Sequence, residues 1–141
     1  MARFVALFLF APFVPIAEEV SFSRDVMAVL SKAGCNGGDC HGNQNGKGGF
    51  KLSLWGENPG ADFKALHSRS RVDTGDPAAS KLLLKPTLQV KHGGKKRFET
   101  GSAEYRILLD WIRSGAGKDP DNAPRPPAAY AKPQMGIPGI G

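Results

Sequence analysis

The sequence predicts a small, mostly helical domain with long loops. Two amphipathic segments, one near each end of the central region, carry apolar residues at helical spacing, and no pair of long alternating segments indicates a sheet. The region between them is rich in glycine, and the chain contains 18 glycines and 11 prolines in 141 residues. A chain of this length accommodates one domain of about 100 residues, which we place at 18–117.

The two ends of the chain have different compositions from this domain. Residues 1–17 have a positive start at Arg3 and an apolar run of fourteen before Glu18, as in a secretory signal peptide. We expect an exported protein, periplasmic or at the cell surface, with no stable membrane span after cleavage; an uncleaved anchor is the alternative. Residues 118–141 hold six of the eleven prolines and are predicted to form a tail or linker.

Local signals place the helices in order. We expect the first helix to begin at an N-cap, Ser23, and to end at Gly34, and the last to run from Ser102 to Ser114 with Gly115 as its stop. Shorter helices are predicted over 61–67 and from Asp76-Pro77 to just before Pro86, with an extended segment at 50–54.

The only two cysteines carry the strongest chemical signal. Cys35 and Cys40 are followed at once by His41, and two thiols followed by an imidazole are typical of covalent haem attachment, with the histidine as proximal iron ligand. Four residues separate the cysteines where two are usual, and Gly37-Gly38 gives the linker freedom to bulge. The alternatives are a Cys35–Cys40 disulfide, and a zinc site with His67 or His92 as a distant fourth ligand.

Residues 21–116 resemble class I cytochrome c, and more narrowly the cytochrome c-like domains near the N-terminus of large multidomain planctomycete proteins. The resemblance is carried by Phe22 to Val26, Cys35 to Gly42, Gly49 to Leu54, Ser80 to Pro86, His92 to Arg97 and Glu104 to Gly115. It implies one covalent haem c per chain. Such relatives continue into further domains, so we expect either a shortened relative or a fragment.

The second axial ligand of the iron is predicted to be His92. This histidine lies in a loop before the last helix, and Gly93-Gly94 allow the backbone to approach a haem closely. His67 is a weaker candidate, and an open or water-bound iron is the other alternative. Met27 is expected in the core and Met135 in the tail.

The predicted function is the transfer of single electrons rather than catalysis, although the domain can also serve as the redox module of a larger enzyme. No residue set indicates a catalytic triad. An apolar shell is expected to keep water from the haem: Phe50, Leu52, Leu54, Leu83 and Trp111. The alternatives are a haem-based sensor with an open sixth site and a haem-free interaction module stapled by a disulfide.

Charge indicates the kind of partner. The net charge is +6, and the segment from Lys81 to Arg97 contains six basic residues and no acidic one. Such a segment can steer docking of an acidic redox partner and neutralise haem propionates, or can simply solubilise a loop. Neither interleaved aromatics nor a recognition helix accompanies it, so we expect no nucleic-acid binding, and we expect a monomer.

Overall fold

The computed structural model describes residues 19–120 and 122–123. Within them a π-helical turn, Phe22–Val26, leads into the first of four α-helices: α1 Met27–Lys32, α2 Pro59–His67, α3 Lys81–Leu84 and α4 Ala103–Arg113. Short 3-10 turns occur at Leu54–Gly56, Ser68–Ser70 and Pro77–Ala79. The described part contains no strand, only an isolated bridge between Lys47 and Phe50. The prediction of a mostly helical domain is therefore confirmed.

The first helix starts two residues earlier than predicted. Ser21, not Ser23, is the N-cap: its hydroxyl accepts a hydrogen bond from the amide of Arg24, and its own amide donates to the Asp25 carboxylate at 2.9 Å. Ser23 lies inside the π-helical turn, where its amide and hydroxyl both donate to the Asp119 carboxylate. Ser23 is therefore not the N-cap, and Asp119, 96 positions away in the chain, accepts hydrogen bonds at the start of the helix instead.

The core forms between the two ends of the domain. Helix α4 packs against α1 and the preceding turn, and Trp111 lies beneath them with 1% of its surface exposed. Phe22 contacts both Trp111 and Phe63, at ring-centre distances of 5.5 and 5.1 Å. Met27 is buried in this core, as predicted. These contacts bring the start and the end of the domain together.

Most other helix predictions agree with the structure. Ser102 caps α4 by accepting from the amide of Tyr105, and Gly115 follows the helix with φ +101°. Helix α2 extends to Pro59, with Asn58 as its cap. The helix predicted from Asp76-Pro77 is divided into a 3-10 turn and α3, because Ser80 adopts an extended conformation between them.

The segment just after the predicted domain boundary contacts the folded part. The Asp119 carboxylate accepts from the amides of Phe22 and Ser23 at 2.7 Å each. Trp111 Nε1 also donates to the carbonyl of Gly117. No helix among the described residues is both long enough and apolar enough to cross a membrane. The predicted signal peptide and nearly all of the predicted tail lie outside the described residues.

Candidate cofactor site

The four predicted site residues line a single cleft of about 560 Å³. Its walls include Cys35, Cys40, His41 and His92, although fifty-one positions separate the two histidines in the chain. This volume lies within the range typical of cofactor sites, which is about 300–1,000 Å³. Tertiary folding thus places both cysteines and both histidines around one space.

The cysteine loop is shaped by backbone hydrogen bonds and by one glycine. Gly34 follows the end of α1 with φ +71°, and the amide of Cys35 then donates to the carbonyl of Leu30 at 2.8 Å. The amide of His41 donates a hydrogen bond to the carbonyl of Cys35 at 3.0 Å, and this bond closes the widened linker into a compact loop. A Cβ atom at Gly42 would lie 1.9 Å from the carbonyl oxygen of Asn36, so only glycine fits there.

Both cysteines are free thiols with partial exposure. Burial raises the pKa of Cys35 to about 11, so its thiol stays protonated at neutral pH in the folded chain. Cys40 Sγ lies 3.1 Å from Arg97 Nη2, which donates to it. The described residues contain no group of three or more His, Cys, Asp or Glu that could hold a metal ion.

His41 is held by its own loop. Its Nδ1 lies 3.1 and 3.0 Å from the carbonyl oxygens of Lys47 and Phe50, and its ring packs on Phe50 with 4.6 Å between centres. Because carbonyls only accept, Nδ1 carries the proton, and Nε2 is left as the basic nitrogen. Burial is the main cause that lowers the pKa of His41 and keeps it neutral, which is the form that binds metals.

His92 is held in the same way by a short turn. Its Nδ1 lies 2.9 Å from the carbonyl oxygen of Lys95, while the Lys95 amide donates back to the carbonyl of His92. Lys95 adopts φ +61° to make this turn. A Cβ atom at Gly94 would lie 2.8 Å from the His92 ring, so glycine provides the room in which the imidazole sits. His92 Nε2 is thereby left as the basic nitrogen.

The two imidazoles face each other at a distance that fits an iron ion between them. Their ring centres are 6.4 Å apart and their planes are inclined by 14°. Two imidazoles on opposite sides of one metal, with metal–nitrogen bonds of about 2 Å, place their ring centres about 6.3 Å apart. The donor set, the spacing and the adjacent thiols all fit a covalently held haem.

His67 and the methionines are placed elsewhere. His67 Nδ1 lies 2.8 Å from the carbonyl oxygen of Phe63 and Nε2 lies 3.0 Å from that of Ala116, so neither nitrogen is available to a metal. The His67 ring also packs on Phe63 and Trp111, so His67 links α2 to α4 and the turn after it. Met27 is buried in the core, and Met135 lies outside the described residues.

The apolar lining differs from the predicted shell. Of the five predicted residues, only Phe50 lines the cleft. The other four are absent from its wall: Leu52, Leu54, Leu83 and Trp111. Leu54 points outward with 41% of its surface exposed, and Trp111 belongs to the core beneath α4. Leu30, Leu82 and Pro86 line the cleft instead. Apolar type alone does not distinguish a core position from a cleft wall, which is why the prediction was wrong here.

Within the described part of the chain, no acidic residue lines the cleft, whereas six basic residues do: Lys47, Arg69, Arg71, Lys81, Lys85 and Arg97. Three of the six belong to the predicted basic segment. The other three, from the glycine-rich loop and the turn after α2, were missed by sequence analysis. Their separation along the chain left no local signal except the pair of arginines two positions apart.

Comparison with known proteins adds no relative: no family model, curated protein or solved structure matches this chain.

Proposed function

We propose that this chain is an exported monohaem c-type cytochrome domain that carries single electrons. The observation that carries the proposal is the facing pair of imidazoles, His41 and His92, across a cleft that also contains both cysteines. A redox role follows from this donor set, because His41 and His92 would both hold the iron and would leave it no open site for a substrate.

Each residue has a definite role in this proposal. Cys35 and Cys40 would hold the group through thioethers, and His41 and His92 would bind the iron through Nε2. When bound, haem iron supplies one-electron redox chemistry by alternating between its ferric and ferrous states. The carbonyls that accept from both Nδ1 atoms fix the orientation of the rings and increase the basicity of Nε2.

The surroundings support electron transfer rather than catalysis. The described residues that line the cleft include six cations and no acidic residue, which favours an acidic redox partner at its opening. Burial of the His41 ring and the wall formed by Leu30, Phe50 and Leu82 limit access of water to the iron. We propose that the protein acts as a monomer in the periplasm or at the cell surface, alone or as the redox module of a larger enzyme.

The decisive experiment is periplasmic expression with a c-type maturation system, followed by acid extraction. We expect haem to survive extraction, a mass gain of one haem and a pyridine haemochrome band typical of two thioethers. Cys35→Ala and Cys40→Ala variants should each shift that band to the single-thioether position. Without retained haem, and with a mass two hydrogens below that of the dithiol, the protein would instead be a disulfide-stapled module.

A second measurement separates the electron carrier from a sensor. With two imidazole ligands the ferric protein should be low-spin, without the near-infrared band of a methionine thioether ligand. Binding of carbon monoxide to the ferrous protein should be slow, because His92 must first leave the iron. Rapid binding and a high-spin spectrum would favour a ligand-binding sensor.

A further inference from the structure

The cations of the cleft differ in what they contact. Arg97 donates to Cys40 Sγ, and Lys85 Nζ lies 3.5 Å from the carbonyl of Lys91. Arg71 donates to the carbonyls of Ser68 and Gly49. The remaining three have no hydrogen-bond acceptor within the described part of the chain: Lys47, Arg69 and Lys81. The lining therefore includes cations already held by the protein and cations available to an anion.

Arg69 is held in a backbone conformation that its residue type disfavours. It has φ +54°, and the next residue, Ser70, has φ +52°. For L-residues the left-handed region is sterically disfavoured. Two such residues in succession mark a strained turn, and strain of this kind collects at binding sites. This strained turn therefore favours Arg69, rather than Lys47 or Lys81, as the cation that binds an anion.

Neighbouring groups stabilise this turn from both sides. Arg71 Nη1 donates to the carbonyl and hydroxyl of Ser68 at 2.6 Å each, and its guanidinium lies over the Phe50 ring at 4.4 Å. Gly49 leaves space on the other side, because a Cβ atom there would lie 2.5 Å from Arg69 Nη1. Arg71 thus positions the turn that carries Arg69, and Gly49 leaves room for the Arg69 guanidinium.

The charge of this pair is uncompensated. Burial, and then the neighbouring charge of Arg69, lower the pKa of Arg71. The other charged or titratable groups that line the cleft are cations, imidazoles and thiols: Cys35, Cys40, His41, Lys47, Lys81, Lys85, His92 and Arg97. Among the residues that the structure describes, no carboxylate lines the cleft to balance them, so the site favours an anion supplied by the ligand.

We propose that Arg69 binds a haem propionate, held in position by Arg71 and Gly49. The inference rests on the proposed function. A haem attached through its vinyl groups carries its propionates on the opposite edge of the ring. Arg97 belongs to the cysteine edge, because it contacts Cys40. A guanidinium binds a carboxylate through two parallel hydrogen bonds, which an ammonium cannot do, so Arg69 fits this role better than Lys81 or Lys85.

The test compares Arg69→Gln with Lys81→Gln in the holoprotein, since each removes one positive charge from the same cleft. The midpoint potential is measured from about pH 5 to pH 9, the range in which a raised carboxyl pKa becomes visible. We expect Arg69→Gln to move the pH-dependent part of the profile to higher pH, because the propionate loses its partner. Lys81→Gln should lower the potential uniformly and leave the shape of the profile unchanged.

Arg69→Lys keeps the positive charge but lacks the two parallel donors of a guanidinium. It is also the variant to measure if Arg69→Gln does not fold. We expect an intermediate profile, and a shift of the propionate carboxylate band in redox-difference infrared spectra. Identical profiles for Arg69→Gln, Arg69→Lys and Lys81→Gln would overturn the assignment. Failure of the wild type to retain haem would refute the proposed function itself, and the two results are therefore distinguishable.

Discussion

The helical base and the cleft of this domain are stabilised in different ways. In the base, formed by α1, α4 and the turn before α1, large apolar side chains are buried and helix ends are capped by side chains. Around the cleft, backbone carbonyls hold the imidazoles, and glycines leave space for close contacts: Gly42 for the carbonyl of Asn36, Gly49 for the Arg69 guanidinium and Gly94 for the His92 ring. Substitutions in the base should change stability, whereas those around the cleft should change the spectrum or the potential.

The largest effect is expected where the two regions meet, at Gly42. Gly42→Ala would place a methyl group 1.9 Å from the carbonyl oxygen of Asn36, which cannot move without opening the cysteine loop. We expect a loss of at least about 3 kcal/mol in the free energy of unfolding, together with little or no haem incorporation. Gly93→Ala is the matched control, because a Cβ atom there meets nothing within 4 Å. Chemical denaturation of both variants measures the difference, and equal stabilities would contradict it.

Next, His92→Ala should change the spectrum while the haem stays covalently attached. Its removal leaves one axial position empty, so we expect the low-spin ferric signal to disappear and added imidazole to restore it. His67→Ala should keep the low-spin spectrum but lower the free energy of unfolding by about 1–2 kcal/mol, because it unties the carbonyls of Phe63 and Ala116. If His67→Ala instead abolished the low-spin signal and His92→Ala only lowered stability, His67 rather than His92 would be the ligand of the iron.

A smaller effect is expected in the base, at Asp119. Asp119→Ala removes the acceptor for the amides of Phe22 and Ser23, and loss of such a cap costs about 1–2 kcal/mol. Asp110→Ala, at an exposed pair with Arg113, should change stability by less than about 0.5 kcal/mol. The haem spectrum should stay unchanged in both. A spectral change in Asp119→Ala would mean that the base and the cleft are coupled.

The same contact should contribute to acid sensitivity. Burial acts to raise the pKa of Asp119, but the hydrogen bonds from Ser23, Ser21 and Phe22 outweigh it and lower the pKa below 3.8. Because the folded-state pKa is depressed, this stabilisation is present above the unfolded value and is lost as the pH falls through the folded value. Asp119→Asn should flatten this part of the stability profile, measured by denaturation as a function of pH.

The smallest effect is expected at the surface, where Lys32 pairs with Glu104. The hydrogen bond from Lys32 lowers the pKa of Glu104 from 4.5 to about 2. Its contribution is therefore present above pH 4.5 and fades as the pH falls toward 2. Glu104→Gln should reduce stability slightly at neutral pH and not at pH 2, and the difference should shrink in high salt. A salt-independent effect would indicate packing rather than charge.

Local patterns were sufficient for several features. Capping by Ser102, the stops at Gly34 and Gly115 and the burial of Met27 depend on residues within a few positions of one another, so they were predictable. The haem motif was predictable for the same reason, because its cysteines and histidine lie within seven consecutive residues. Its chemical role is a proposal that the haem measurement tests.

Other features depended on the tertiary structure. Ser23 was predicted as the N-cap, but Ser21 caps the helix and Ser23 instead donates to Asp119. His67 and His92 were both candidates to face His41. Both nitrogens of His67 lie within hydrogen-bond distance of carbonyl oxygens, those of Phe63 and Ala116. The turn at Lys95 occupies His92 Nδ1 and leaves Nε2 without a partner among the described residues. The contacts of His67 with Ala116 and of Ser23 with Asp119 have no local signal, because these partners are 49 and 96 positions away.

The sequence by itself determined the helical segments, the cysteine loop and the excess of positive charge. Only the tertiary structure decided which cations line the cleft, which apolar residues form its wall and how the two imidazoles face each other. The physical reason is range: capping, turns and helical periodicity act within a few residues. The position of Arg71 depends on a hydrogen bond to the carbonyl of Gly49, 22 positions away, and the approach of His92 to His41 depends on the paths of the loops between them.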